Sequence, residues 1–161
     1  MRLSEKEFAQ LCAKVHMLAP LGTTNAPPHL KYRNVKVYVY ANGRVSFGVK
    51  LPGNAKPVEV YDSTKEYNRK VELMLLERAG KITNLRRQVK FVIQASTIIN
   101  GNPIREIAYR ADFVYNDARG TVIEDVKPLD PKTKRYKLTK DFSLKWKLLQ
   151  AKYPDYVFAI Y

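Results

Sequence analysis

Residues 111–127, ADFVYNDARGTVIEDVK, constrain the fold more than any other stretch of the chain. β-Branched and aromatic residues on either side of a turn-rich 116–120 predict two strands with a short connection. Side chains alternate along a strand, so Asp125 and Lys127 share one face, Glu124 and Val126 take the other, and Asp112 sits on the strand before. A D-x-K on a surface strand is usually a salt-bridging decoration. Here the apolar Val122 and Ile123 lead into the acids, which places charge at the end of a buried-looking strand, where it is costly without a task.

The neighbouring segments supply a frame for that pair. Asp62-Ser63-Thr64-Lys65-Glu66 opens a helix over 62–79 that stops at Gly80, with Tyr67, Val71, Met74 and Leu75 as its core stripe. Glu66 has two readings there: it completes a capping box with Ser63, or it is a carboxylate that reaches a metal from the helix start. Glu72 and Glu77 read as parts of a solvated face. Strand-like runs over 86–95, 106–115 and 121–126 predict an antiparallel meander, with 100–103 and 116–120 as its connections. A helix over 141–152, with Phe142, Trp146 and Leu149 on one side, and a strand over 156–161 complete an α/β sandwich around a mixed sheet. Upstream, runs over 35–40, 44–51 and 57–61 predict a second three-strand meander, the first two joined at Asn42-Gly43. Ser4-Glu5-Lys6-Glu7 opens a short amphipathic helix, and the proline-containing 19–29 follows as a linker. The division expected is a helix and linker over 1–30 and one domain over 31–161.

A formal charge of +14 on 161 residues makes nucleic acid the expected partner, because a cationic surface collects polyanions through counterion release whatever its fold. Nine Lys or Arg against two acids lie between Lys127 and Lys152. The Lys132, Lys134, Arg135, Lys137 and Lys140 loop is the phosphate grip, and Arg86 and Arg87 are further DNA contacts. Contacts of this kind position a duplex without reading its sequence. One cysteine and two histidines exclude an internal disulfide and the usual zinc spacings, so any metal would be held by oxygen. No apolar run is long enough to span a bilayer and no secretory leader opens the chain, so a soluble, cytoplasmic protein is expected.

Phosphodiester hydrolysis needs an activated water, neutralisation of developing charge and a stabilised leaving oxygen, which hard divalent cations on carboxylates supply. Asp112 and Asp125 are the candidate ligands of Mg²⁺, with Mn²⁺ able to substitute. The Val126 carbonyl is a further oxygen, Glu66 completes the set from the helix, and Lys127 orients or deprotonates the water.

Taken in series, STKEYNRKVELMLLERAGKITNLRRQVKF and YRADFVYNDARGTVIEDVKP resemble the PD-(D/E)XK nuclease superfamily. The closer resemblance is to a phage-encoded group of small endonucleases within it, and it covers residues 31–161. More distantly the chain is similar to Holliday-junction resolvases and to the transposase nuclease subunit. The resemblance implies a restriction-endonuclease-like core of helix, three-stranded antiparallel meander, helix and strand, here with an N-terminal helix and an extra β-hairpin. Its motif acid falls on Asp112, its D/E-x-K on Asp125 and Lys127, and its helix glutamate on Glu66. Gln88 matches a position where relatives carry a glutamine near the site. Asp125 stands where Glu is commoner, leaving Glu124 as a rival should the strand be bulged. The implied activity is metal-dependent endonuclease cleavage of DNA, with branched DNA such as a Holliday junction as the specific substrate and a homodimer suited to paired nicks. The alternative is a basic nucleic-acid-binding protein that keeps the fold without catalysis.

Overall fold

The structure is a computed structural model describing residues 34–53 and 56–161, which fall into two units, Met1–Ala79 and Gly80–Tyr161. The helix and linker expected over 1–30 lie outside the described residues.

In the first unit, β1 (Val37–Val39), β2 (Val45–Phe47) and β3 (Glu59–Tyr61) form an antiparallel sheet in the order β2-β1-β3. Gly43, with a φ of 78°, closes the first hairpin by donating to the Tyr40 carbonyl at 2.9 Å. That backbone angle suits glycine because it carries no Cβ to clash. The sequential meander expected here is corrected: β3 returns to β1, with Val37 opposite Tyr61. Pro52, Gly53 and Pro57 break the connection after β2, and a long, interrupted connection can reach the open edge of β1 where a tight hairpin could not.

Helix α1 (Thr64–Arg78) starts at Ser63, whose Oγ accepts from Glu66 N at 3.1 Å, while Glu66 Oε2 accepts from Asp62 N at 3.2 Å. These reciprocal bonds satisfy amides that a helix start leaves open. Tyr67 meets Phe47 and Tyr61 edge to face at 6.2 and 5.4 Å. The core stripe differs from the expected one: Leu73 and Leu75 are buried and Met74 is 40% exposed. Glu72, read as solvated, is buried and ion-paired with Arg69 at 3.0 Å. Charged residues occur all around this helix, so its sequence carries only a weak apolar period to indicate the covered side.

The second unit holds β4 (Thr83–Gln94), β5 (Thr97–Ile99), β6 (Asn102–Ile104), β7 (Ile107–Asp117), β8 (Gly120–Asp125), α2 (Lys140–Lys152) and β9 (Val157–Ile160). Its main sheet runs β4-β7-β8-β9, antiparallel except for the β8-β9 pair, which is parallel. A parallel neighbour requires a crossover, and α2 supplies it. Tyr109, Ala111, Val114 and Ile123 of the sheet are buried with Phe142, Trp146 and Leu149 of α2. Trp146 is therefore core, as its spacing predicts. The described residues thus make a mixed α/β protein. Within β4 the register shifts between Thr83 and Arg86, and Asn84 takes a φ of 56°. One local reading is corrected. Residues 100–103 are not only a connection, because β5 and β6 pair there as a separate two-stranded hairpin.

Candidate active site and basic turn

The β7-β8 register pairs Phe113 with Glu124 and Val114 with Ile123, so the next step sets Asp112, in the middle of β7, beside Asp125 at the end of β8. A direct bond ties the end of β8 to the middle of β7: Val126 N donates to Asp112 Oδ2 at 2.9 Å. The other Asp112 oxygen accepts from Gln88 Nε2 at 3.0 Å. Asp112 is thus held from both neighbouring strands by charge-assisted hydrogen bonds, which are stronger than neutral ones.

Asp125 is 2% exposed and forms an ion pair with Lys127. β8 ends at Asp125, so Lys127, expected on the same strand face, lies beyond the strand, and its ammonium still reaches the Asp125 carboxylate. The backbone there is pinned to the end of β9, where Tyr161 N donates to Asp125 O and Lys127 N to Tyr161 O, both at 2.9 Å. Lys127 Nζ also sits 4.4 Å from the centroid of the Phe142 ring on α2. A ring face attracts a cation through its quadrupole, so strand and helix together fix the ammonium. Glu124, the rival acid, points away: it is buried and accepts from the Tyr115 hydroxyl at 2.8 Å. The β7-β8 register is regular through it, so Asp125, on the side of Ile123 that α2 covers, is the acid beside Lys127.

The backbone is irregular at this point. Gln88 falls between the pairs Arg87↔Phe113 and Val89↔Ala111, hence opposite Asp112, and its φ is 50°. A side-chain-bearing residue in the left-handed region is strained, and such strain clusters at functional sites. Ala111 and Val114 both enter the α2-facing cluster, although an odd spacing would send them to opposite faces of a regular strand. Tyr109 is buried in the same cluster with a hydroxyl that has no hydrogen-bond partner among the described residues. Burial, with the charge of Asp112, pushes its phenol well above the usual tyrosine range.

Gln88, at the position where the resemblance puts a glutamine near the site, donates to Asp112. Arg86 is exposed and Arg87 half-buried. Glu66 belongs to the first unit and takes the capping role described above. Among the described residues no three His, Cys, Asp or Glu side chains are grouped to hold a metal. The Asp112 and Asp125 pair still fits Mg²⁺, which is commonly held by one or two carboxylates, with waters and substrate phosphate completing its shell. Sequence reasoning missed Tyr109 and the ring of Phe142. The first signal available for Phe142 is an aromatic in the opening turn of the helix that follows D-x-K.

The loop at 128–137 is an ordered turn. Asp130 Oδ1 accepts from Lys132 N at 2.9 Å and Thr133 N at 3.0 Å, and its main chain bonds Arg135 and Lys134, both at 2.9 Å. Those amides, led by Thr133, hold the Asp130 carboxyl below its ordinary range. Leu129 bridges Tyr136, and Lys137 pairs with Asp130 at 3.6 Å. Lys132, Lys134, Arg135, Lys137 and Lys140 are all exposed around it, so the acid folds the turn and the cations face outward. No helix among the described residues is long and apolar enough to cross a membrane.

No curated protein and no solved structure matches the chain. One family model does, over residues 54–160, spanning the helix, the sheet and the acidic strand end. On that match the chain belongs to the family described as Protein of unknown function (DUF1064).

Proposed function

We propose that this protein is a metal-dependent endodeoxyribonuclease of the PD-(D/E)XK kind. The observation that carries the reading is the meeting of Asp112, Asp125 and Lys127 where β8 ends beside β7, with Asp125 buried and paired with the lysine. The order of elements also supports a restriction-endonuclease-like core: helix, three antiparallel strands, helix, and a last strand parallel to its neighbour.

Asp112 and Asp125, with the Val126 carbonyl, would hold Mg²⁺ or Mn²⁺. When bound, the cation supplies Lewis acidity toward a phosphate oxygen and the attacking water. Gln88 and the Val126 amide keep the Asp112 carboxylate oriented. Lys127, held between Asp125 and the Phe142 ring, positions the water and offsets phosphate charge. The cations around the Asp130 turn grip the backbone of the duplex without reading sequence. The catalytic assignment rests on the second unit alone. A branched duplex cut by a homodimer is the specific role proposed.

The test is cleavage of linear, nicked, flapped and four-way DNA with Mg²⁺ or Mn²⁺. Wild type cuts at least one of these, and Asp112→Asn lowers the rate about a hundredfold or more. Equal cutting by the variant, or none by wild type on any substrate, would reject the reading in favour of a non-catalytic DNA-binding protein.

A further inference from the structure

The β5-β6 hairpin is a projecting arm with apolar side chains on both faces. All six strand residues are exposed, Ile98 at 72% and Ile99 at 53%. Its register pairs Ile98 with Pro103 and Thr97 with Ile104. Alternation then sends Ile98 and Pro103 to one side and Ile99 and Ile104 to the other. An isolated two-stranded ribbon with both faces wet is marginal in water, and exposed apolar surface of this kind marks an interaction site.

The base of the arm is braced. The β4-β7 register shifts between Val92 and Gln94, just before the arm leaves the sheet. Lys152 of α2 donates to the carbonyls of Val92 at 2.8 Å and Ile93 at 3.0 Å. Lys90 and Glu106 form an ion pair across the same base. The ribbon therefore leaves the sheet at a defined place.

We propose that this arm is an apolar wedge that enters duplex DNA and unstacks a base step. Two observations choose the occupant. A flat protein surface, including that of a second copy, covers one side of a ribbon and leaves the other wet, whereas a nucleic-acid groove encloses both. The arm also carries no carboxylate from Ala95 to Arg105, on a chain of net charge +14, so it meets phosphate without repulsion. Isoleucine and proline are residue types that serve as such wedges, and asparagines such as Asn100 and Asn102 at the tip suit groove edges. Unstacking is cheapest where stacking is already broken. The arm therefore directs the protein to kinked or branched duplexes, which deepens the nuclease reading without depending on catalysis.

The experiment uses the full chain without divalent cation and duplex or four-way DNA carrying 2-aminopurine at successive positions. Wild type raises the probe's fluorescence at one step or at the branch point. Ile98→Ser with Pro103→Ser abolishes that rise and weakens binding about tenfold, the factor one buried aliphatic side chain is worth, while Ile98→Leu retains both. These side chains are exposed, so the unfolding midpoint stays unchanged. An unchanged fluorescence rise in the double-serine variant would overturn the proposal. So would a concentration-dependent dimer that only this variant loses, which would assign the arm to a second copy. Cleavage defects alone bear on the nuclease reading, not on this one.

Discussion

Gln88 Nε2 donates to Asp112 Oδ1 at 3.0 Å from a residue whose φ is 50°, directly across the β4-β7 pair. Left-handed backbone costs a non-glycine residue roughly 1 kcal/mol, and a hydrogen bond to a charged group returns about 1.5–3 kcal/mol. The two effects can be separated. Gln88→Gly removes both strain and bond, so its unfolding free energy should fall by only about 0.5–2 kcal/mol. Its metal-dependent cleavage should fall roughly 10- to 100-fold, because the carboxylate loses an orienting partner. Gln88→Ala keeps the strain and should be the less stable of the two in urea unfolding.

Lys127 and Asp125 form the pair that most directly couples stability to the site. Asp125 is nearly fully buried while the Lys127 side chain is 22% exposed. Removing the lysine leaves a buried carboxylate without its described cation, which costs on the order of 2–4 kcal/mol. Lys127→Met should therefore unfold at a lower temperature than wild type, and Mg²⁺ should raise its midpoint more than it raises the wild-type one. Calorimetry with and without the cation checks both, and equal shifts would argue against a metal beside Asp125.

The start of α1 separates the two readings of Glu66. Ser63→Ala should cost about 1 kcal/mol, the usual value of a lost N-cap. Glu66→Gln keeps an acceptor for the Asp62 amide and should stay within about 0.5 kcal/mol of wild type. A much larger loss for the glutamine variant in chemical unfolding would show that the charge has another structural task.

Asp130 organises the basic turn although it is itself an anion. Its folded carboxyl is held low by the amides of Thr133 and Lys132. Its stabilising effect is thus present above the unfolded value of about 3.9 and is lost as pH falls through the lower folded value. The Thr133 amide should show faster hydrogen exchange in Asp130→Ala at neutral pH. DNA affinity at fixed salt should fall in that variant, whereas simple removal of a negative charge would raise it.

Neutralising Lys132, Lys134 and Arg135 together should instead flatten the salt dependence of DNA binding. The slope of log K against log salt should drop by about 0.9 for each phosphate that the variant no longer neutralises. Titrations over a range of salt read this directly, and an unchanged slope would place the DNA grip elsewhere.

The elements legible in the sequence were those with a strong local signal. Ser63 with Glu66, Thr121 to Asp125, and the Phe142, Trp146, Leu149 face each needed only capping chemistry or periodicity to be read. The face of α1 was not legible, because its charges surround the helix and only the residues packed against it select Leu73 over Met74. The β2-β1-β3 order was hidden for a related reason: strand pairing over a long connection depends on which edge is open.

By itself the sequence determined that acids and a lysine would end an apolar strand, that Asp125 and Lys127 would share a face, and that cations would crowd the loop after them. Backbone period and charge are local properties, so they can be read from residue order. Only the tertiary structure decided that Asp112 is clamped by Gln88 and the Val126 amide, that Glu124 turns to Tyr115, and that Phe142 lies over the lysine. Each of these follows from strand register, backbone irregularity or the docking of α2, which bring together residues that sequence distance keeps apart.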